Sequence, residues 1–383
     1  MTTLTMRPRP ASHEYAAGLM LGRFQLVTNG HLAGVLAAIE AARLGVVGVG
    51  SANQSRDTRN AWTFGERREM WEAAIPTDLL GRVRFFGQED LGNPLRWASA
   101  VENRMSKVLV EEGLDPDTAA VALFGHRKDA TSFYLDDFPN YILEQLPNVD
   151  GINASDLRDT YFRTPDMDEW AQSASDRVPE GVIDWLRGFR RDPAYARLVE
   201  EASRQDATAL AWRRRTSPDG PGLPHDVIFN DATAVVVQGN RVLLHRRPSH
   251  PGMGYWSLPE GPIDLREGEV QAAVRIAIAR TGIDLSETAL RRALRDSWTR
   301  TDPHRTTKGR TIAFPSVFLL TPTPRGQTIE QRRKSMALPR VRASADVGFF
   351  TFDEVRLMRS EIYADHAIII DQAMERLGVL RPW

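Results

Sequence analysis

A chain of 383 residues, 42% hydrophobic and 26% charged, is too long for one ordinary core and suggests two domains at about 100–200 residues each. Its 49 basic and 50 acidic side chains leave a formal charge of −1, so the broad positive field that drives nonspecific nucleic-acid binding is missing. Cysteine is absent, which excludes disulfide scaffolds, thiolate zinc sites and cysteine nucleophiles together.

The first residues, MTTLTMRPRPASHEY, contain no apolar leader core, and no stretch approaches the ~18 consecutive apolar residues that span a bilayer. The expectation is a soluble cytoplasmic protein with neither membrane nor nucleic acid as partner. Lysine occurs at four positions, Lys107, Lys128, Lys308 and Lys334, while arginine supplies 45. A coding bias explains this, but a lysine that persists under it marks a place where a compact ammonium is useful.

The run Tyr15–Gly22 (YAAGLMLG) predicts a buried strand that ends in a Gly-rich turn, followed by a helix over 31–43. Strands at 45–50, 83–86 and 120–124 alternate with helices at 64–74 and 96–112. Such alternation implies an α/β domain built on a parallel sheet. After Ser155 one helical stretch is expected to run toward Arg190, and Arg213–Pro224 (RRRTSPDGPGLP) reads as a linker. Beyond it, 231–238 and 241–246 predict a hairpin around Gly239-Asn240. A central helix follows at 269–280, then a strand at 311–320, a polar loop at 322–336 and an amphipathic helix at 366–377. The domains are therefore expected at 1–190 and 225–383, with 191–224 as connector and linker.

The turn after the first strand has chemical content. A helix starting near His31 aims unpaired N–H groups and its positive dipole end at whatever fills the turn, and phosphate is the natural occupant. Thr28 can donate a hydroxyl, Gly30 permits close backbone approach, and His31 can donate an imidazole N–H. The run Gly22-Arg23-Phe24-Gln25 through Thr28-Asn29-Gly30-His31 resembles the (His/Thr)-x-Gly-His signature of the nucleotidyltransferase superfamily, in its nicotinamide-mononucleotide adenylyltransferase branch. Gly50–Met70, Phe124–Pro139 and Ile152–Arg158 resemble further segments of that branch in the same order.

The resemblance implies a Rossmann-like nucleotidyltransferase domain in which the 5′-phosphate of nicotinamide mononucleotide (NMN) attacks the α-phosphorus of ATP, giving NAD and pyrophosphate. It implies that Thr28 and His31 hold the α-phosphoryl region, with Gly22, Arg23 and Gly30 around the phosphates. Arg158 would grip the β and γ phosphates, and Ser155 and Lys128 would assist. Mg²⁺ is expected to arrive with ATP. Asn93 and Trp97 would bind nicotinamide, against the competing reading of Trp97 as a core residue; Trp62 is a lesser pocket candidate, and Asp129 either orients Lys128 or His126 or touches substrate. Leu26-Val27 stands where the family has Pro-Phe. Nicotinate mononucleotide is not separated from NMN by these residues.

Gly261-x5-Glu267-x7-Arg275 ending at Gly282 resembles the Nudix box, and with its flanks implies a C-terminal Nudix α/β/α sandwich of the ADP-ribose pyrophosphatase kind. Together the two stretches resemble bifunctional NMN adenylyltransferase/Nudix hydrolases. The carboxylates expected on one face of the box helix are here Ile276, Ala279 and Arg280. Mg²⁺ needs hard oxygen ligands, so metal-assisted hydrolysis is not expected. Glu267 stays open as a metal ligand or as a helix-start residue complementing the dipole. Three roles follow for this domain: an inactive scaffold, a sensor of ADP-ribose or NAD with Arg280 on the diphosphate, or a hydrolase whose ligands come from other loops. A homo-oligomer is compatible with the sequence.

Overall fold

The computed structural model describes residues 14–91, 94–125, 138–146, 153–216, 228–320, 339–342 and 344–378. The chain divides into two compact units, Met1–Ala202 and Ser203–Trp383.

In the first unit, β1 (Tyr15–Gly22) leads through a turn into α1 (Asn29–Ala41), then β2 (Ala42–Val49), α2 (Phe64–Ala74), β3 (Val83–Gly87), α3 (Pro94–Glu111), β4 (Val121–Gly125) and β5 (Ile142–Gln145). The strands are all parallel, in the order β3-β2-β1-β4-β5. Period-two alternation sorts their side chains onto two cores. Met20, Val47 and Val49 join the layer containing α1 and α2. Leu19, Leu21, Leu44 and Val46 join the α3 layer. A sheet covered on both faces needs such nearly continuous apolar strands. The strand order reverses direction between β1 and β4, which opens a crevice at the strands' C-terminal ends.

Three helices follow β5 where one was expected: α4 (Ala154–Arg163), α5 (Met167–Ala174) and α6 (Glu180–Phe189). The breaks have local causes. The side chain of Asp166 caps α5 by accepting N–H bonds from Asp168 and Glu169, and Pro179 precedes α6. The next helix, α7 (Pro193–Thr216), runs through Arg213–Arg215. The front of the expected linker is thus helical, and residues 217–227 lie outside the described residues.

The second unit contains β6 (Phe229–Gln238), β7 (Arg241–Arg246), β8 (Trp256–Ser257), β9 (Glu260–Pro262), α8 (Glu269–Thr281), α9 (Glu287–Ala293), β10 (Leu294–Ser297), β11 (Thr311–Leu319), β12 (Val347–Thr351), α10 (Phe352–Leu357) and α11 (His366–Arg376). The β6–β7 hairpin turns at Gly239, whose φ of 59° suits the first central position of a two-residue loop. One sheet face packs Val235, Val237, Val242 and Leu244 on Phe352, Val355, Ile369 and Ile370. The other packs Ala232, Ala234, Val236 and Leu243 on Ala273, Ile276, Ala277 and Leu290. This is an α/β/α sandwich. The polar segment expected at 322–336 lies outside the described residues.

Candidate functional site

At the crevice between β1 and β4, the turn Arg23–Thr28 is held from several directions. The side-chain amide of Gln25 exchanges two hydrogen bonds with the backbone of Trp62, at 3.2 and 3.0 Å. Leu26 and Val27 are fully buried in the core, so packing supplies the stiffness that a proline would give in this turn. Phe24 sits at φ 46°, a left-handed conformation that costs a non-glycine residue roughly 1–2 kcal/mol. Its ring meets His31 and Trp71 edge-on, both at 5.1 Å. Gly22 is required beneath it, because a Cβ there would lie 2.8 Å from the Phe24 ring.

Thr28 and His31 form a reciprocal cap on α1. The Thr28 hydroxyl oxygen accepts the His31 N–H at 3.4 Å, and His31 Nδ1 accepts the Thr28 N–H at 3.2 Å. An Nδ1 that accepts cannot carry a proton in the neutral ring, so Nε2 carries it and is the donor. Gly30 lies in the first turn of α1. Arg23 is exposed beside this turn.

A second helix start faces the same region. Asn153 caps α4 by accepting the N–H of half-buried Ser155 at 3.0 Å. Arg158 is buried on α4; its Nη2 donates to Asp159 at 3.2 Å, while its Nε has no partner among the described residues. Burial lowers the Arg158 pKa and the nearby Arg23 charge adds to this, whereas Asp159 and Asp57 oppose it. The Arg23 and Arg158 charges are thus near enough to act on one another, which favours an anionic occupant between them. Asp57 accepts the N–H groups of Arg59 and Asn60 at 2.8 and 2.6 Å. Burial raises its pKa.

Other expected residues fall differently. Trp62 is buried among Tyr161, Phe162 and Phe189 and stacks on Phe162 at 5.6 Å. It is a core residue, which removes it from the pocket. Trp97 is half-buried on α3 against Phe138 at 5.9 Å. Asn93, His126, Lys128 and Asp129 lie outside the described residues.

In the second unit the box has a loop–helix–loop frame. Gly261 packs against Ile276, with 3.4 Å between the position of a Cβ and Ile276 Cδ1. Gly282 ends α8 at φ 60°, where a side chain would be strained. Arg275 donates Nε to Glu267 at 3.0 Å and Nη2 to the other carboxylate oxygen, and Glu267 also accepts the Asp264 N–H at 2.9 Å. The hydrogen bonds from Arg275 hold the Glu267 pKa below its ordinary value. Glu267 ties loop to helix. At the positions expected to bind metal, Ile276 is buried and Ala279 and Arg280 are exposed. An isoleucine, an alanine and an arginine do not fit Mg²⁺. Among the described residues no group of three or more His, Asp or Glu is placed to hold a metal ion.

A buried charge network on the opposite sheet face brings together residues distant in sequence. Glu260 accepts hydrogen bonds from Thr233 at 3.0 Å and Arg305 at 2.8 Å. Asp365 accepts from Arg300 at 2.7 Å and Arg305 at 3.0 Å. His366 Nδ1 accepts the Leu258 N–H at 3.0 Å. Burial works against the Glu260 carboxylate, but Arg305, His366 and Arg247 together outweigh it and keep that pKa well below the usual range. The network joins β6, β9, the segment before β11 that carries Arg300 and Arg305, and the start of α11.

Two family models match the chain, cytidylyltransferase-like over residues 19–130 and NUDIX domain over 229–372. A nicotinamide-nucleotide adenylyltransferase of Thermococcus sibiricus is 36% identical over 199 residues, covering 50% of this chain and 96% of that relative. The chain belongs to the nicotinamide-nucleotide adenylyltransferase family. It carries a NUDIX domain in addition. A nicotinamide/nicotinic acid mononucleotide adenylyltransferase of Acinetobacter baylyi is 25% identical over 193 residues, half of this chain and 96% of that one. The fold is like that of a bifunctional NMN adenylyltransferase/ADP-ribose pyrophosphatase of Francisella tularensis. The TM-score is 0.79 at 22% identity, covering 95% of this chain and 100% of that one. No described helix is long and apolar enough to cross a membrane.

Proposed function

We propose that the adenylyltransferase unit joins ATP and NMN at the crevice between β1 and β4, and that the NUDIX unit does not hydrolyse ADP-ribose by a metal-assisted route. The observation that carries the first part is the Thr28–His31 cap, because it leaves the His31 Nε2 proton as a donor at the start of α1. In the reaction an oxygen of the NMN 5′-phosphate forms a bond to the α-phosphorus of ATP as the bond to pyrophosphate breaks. Neither step needs a protein nucleophile. Both reactants are anions, so catalysis is positioning and charge stabilisation. His31 and Thr28 serve the α-phosphoryl oxygens, with Gly30 allowing close approach and Gly22 leaving room for the Phe24 ring beside them. Arg23, Arg158 and Ser155 serve the β and γ phosphates, and Mg²⁺ comes with ATP as part of the substrate. Asn93, Trp97 and Lys128 keep the nicotinamide and phosphate roles implied by their motifs.

For the NUDIX unit, the identity of Ile276, Ala279 and Arg280 and the engagement of Glu267 by Arg275 support the second part. A reading in which this unit binds ADP-ribose or NAD without turnover is favoured by Arg280, an exposed cation where a metal-bound carboxylate would stand. Incubation of the full chain with ATP and NMN, with ATP and nicotinate mononucleotide, and with ADP-ribose plus Mg²⁺ or Mn²⁺ tests both parts. NAD and pyrophosphate are expected from the first mixture, and no AMP above background from the third. AMP release that depends on Glu267 would overturn the second part. Calorimetric titration with ADP-ribose then separates a binder from a scaffold.

A further inference from the structure

The helix α2 carries an arginine on its buried face. Arg67 shares that face with Met70 and Trp71 and is 1% exposed, a setting in which a cation is costly unless its donors are met. Each of its described hydrogen bonds ends on a backbone carbonyl. Nη1 donates to Arg23 O and Gly50 O, both at 2.6 Å; Nη2 donates to Ser51 O at 3.4 Å and Nε to Thr63 O at 3.2 Å. Burial lowers its pKa to about 10, which leaves it protonated at neutral pH.

The carbonyls of Arg23, Gly50 and Ser51 lie just beyond the ends of β1 and β2, where parallel strands deliver their oxygens to the edge of the crevice, and that of Thr63 belongs to the N-cap of α2. An oxygen-rich edge repels a triphosphate. Arg67 covers it with positive charge. The bond to Arg23 O also fixes the peptide plane between Arg23 and Phe24. That plane sets the direction in which the Arg23 side chain leaves the backbone and holds Phe24 at φ 46°, with its ring against His31.

We infer that Arg67 is a positioning residue for nucleotidyl transfer: it orients Arg23 and the Phe24–His31 pair toward the triphosphate without touching substrate. This rests on the reading of the crevice as the ATP site. Arg67→Lys and Arg67→Gln, with Arg23→Ala and the double variant Arg23→Ala/Arg67→Lys, test it through KM for ATP and for NMN, kcat, and ATP affinity by calorimetry on the full chain. KM reports the folded fraction, so partial misfolding does not obscure it.

Arg67→Lys is expected to raise KM for ATP about tenfold, the scale of a slightly misplaced binding group, with KM for NMN within about twofold. On the Arg23→Ala background the same change is expected to add less than about twofold, since both act on one contact. Arg67→Gln, lacking charge, is expected to weaken ATP binding further than Arg67→Lys. An unchanged KM for ATP, equal increases in both KM values, full additivity with Arg23→Ala, or the absence of folded protein from both Arg67 variants would show a residue of folding alone and overturn the inference. Wild-type turnover reports separately on the adenylyl-transfer reading, and the calorimetric ratio of variant to wild type stands without turnover.

Discussion

Glu267 and Arg275 meet in a two-pronged ion pair that closes the NUDIX loop onto α8. The loop's Asp264 N–H and the Pro262 carbonyl are tied to the same pair. A carboxylate whose oxygens already serve a guanidinium and a backbone donor is poorly placed to serve a metal as well. Glu267→Gln is therefore expected to lower stability by about 1 kcal/mol, the worth of a partly exposed charged hydrogen-bond cluster. Thermal melts with and without Mn²⁺ check this. A metal-dependent shift in wild type that vanishes in the variant would contradict the structural role.

Ile276 supplies a related expectation. It is 3% exposed, packs on Gly261 and belongs to an apolar cluster, so Ile276→Glu puts a carboxylate among apolar side chains. A loss of roughly 2–4 kcal/mol is expected from lost packing and an unpaired polar group. Restoring the sequence of an active box at this one position is thus expected to harm the unit rather than revive it. Denaturant melts, with ADP-ribose hydrolysis measured in parallel, give the outcome; a stable, hydrolytic Ile276→Glu would remove the argument that this face has been repacked.

For the adenylyltransferase unit, His31→Ala takes away both the Nε2 donor and half of the α1 cap. Removal of one preorganised donor to a charged transition state costs about 100- to 1,000-fold in kcat. Loss of the cap costs about 1 kcal/mol in addition. Steady-state NAD formation and a melting curve separate the two effects, and wild-type turnover in His31→Ala is the result that defeats the assignment.

How much of this was readable beforehand varied with the range of the interaction. The alternation of apolar strands with helices placed β1 to β4, α2 and α8 within a few residues, because period and burial are written locally at Leu19–Leu21 and Ala272–Ala277. The Thr28–His31 turn was legible for the same reason: the cap and its partner are three residues apart. Arg67 was not, since its targets at Arg23 and Gly50 are 44 and 17 residues distant. Its signal was an arginine on the apolar stripe of α2, one turn before Met70 and Trp71. The Glu260–Arg305–Asp365 network spans still longer separations. Thr216 shows the converse failure, because a proline- and glycine-rich run downstream suggested a linker while the helix before it had not yet ended.

His245 carries the pH-dependent expectation. Its ring donates Nδ1–H to the Arg246 carbonyl at 3.0 Å, which leaves Nε2 buried and without a partner among the described residues. Burial, with the charges of Arg280 and Arg247 nearby, depresses its pKa to about 4. The unfolded chain takes up this proton near pH 6.5 while the folded one resists until about 4, so the unfolded state binds more protons between those values. Stability contributed by the neutral ring is complete above the unfolded pKa and is lost as pH falls through that window, by up to about 3 kcal/mol if the shift is fully expressed. His245→Asn keeps a donor near the Nδ1 position and removes the titration. Melts from pH 7 to 4 are expected to show a wild-type decline that is shallower in the variant by about one proton's worth of slope. Parallel pH profiles for the two proteins would mean that the ring is protonated in the fold and has found an acceptor.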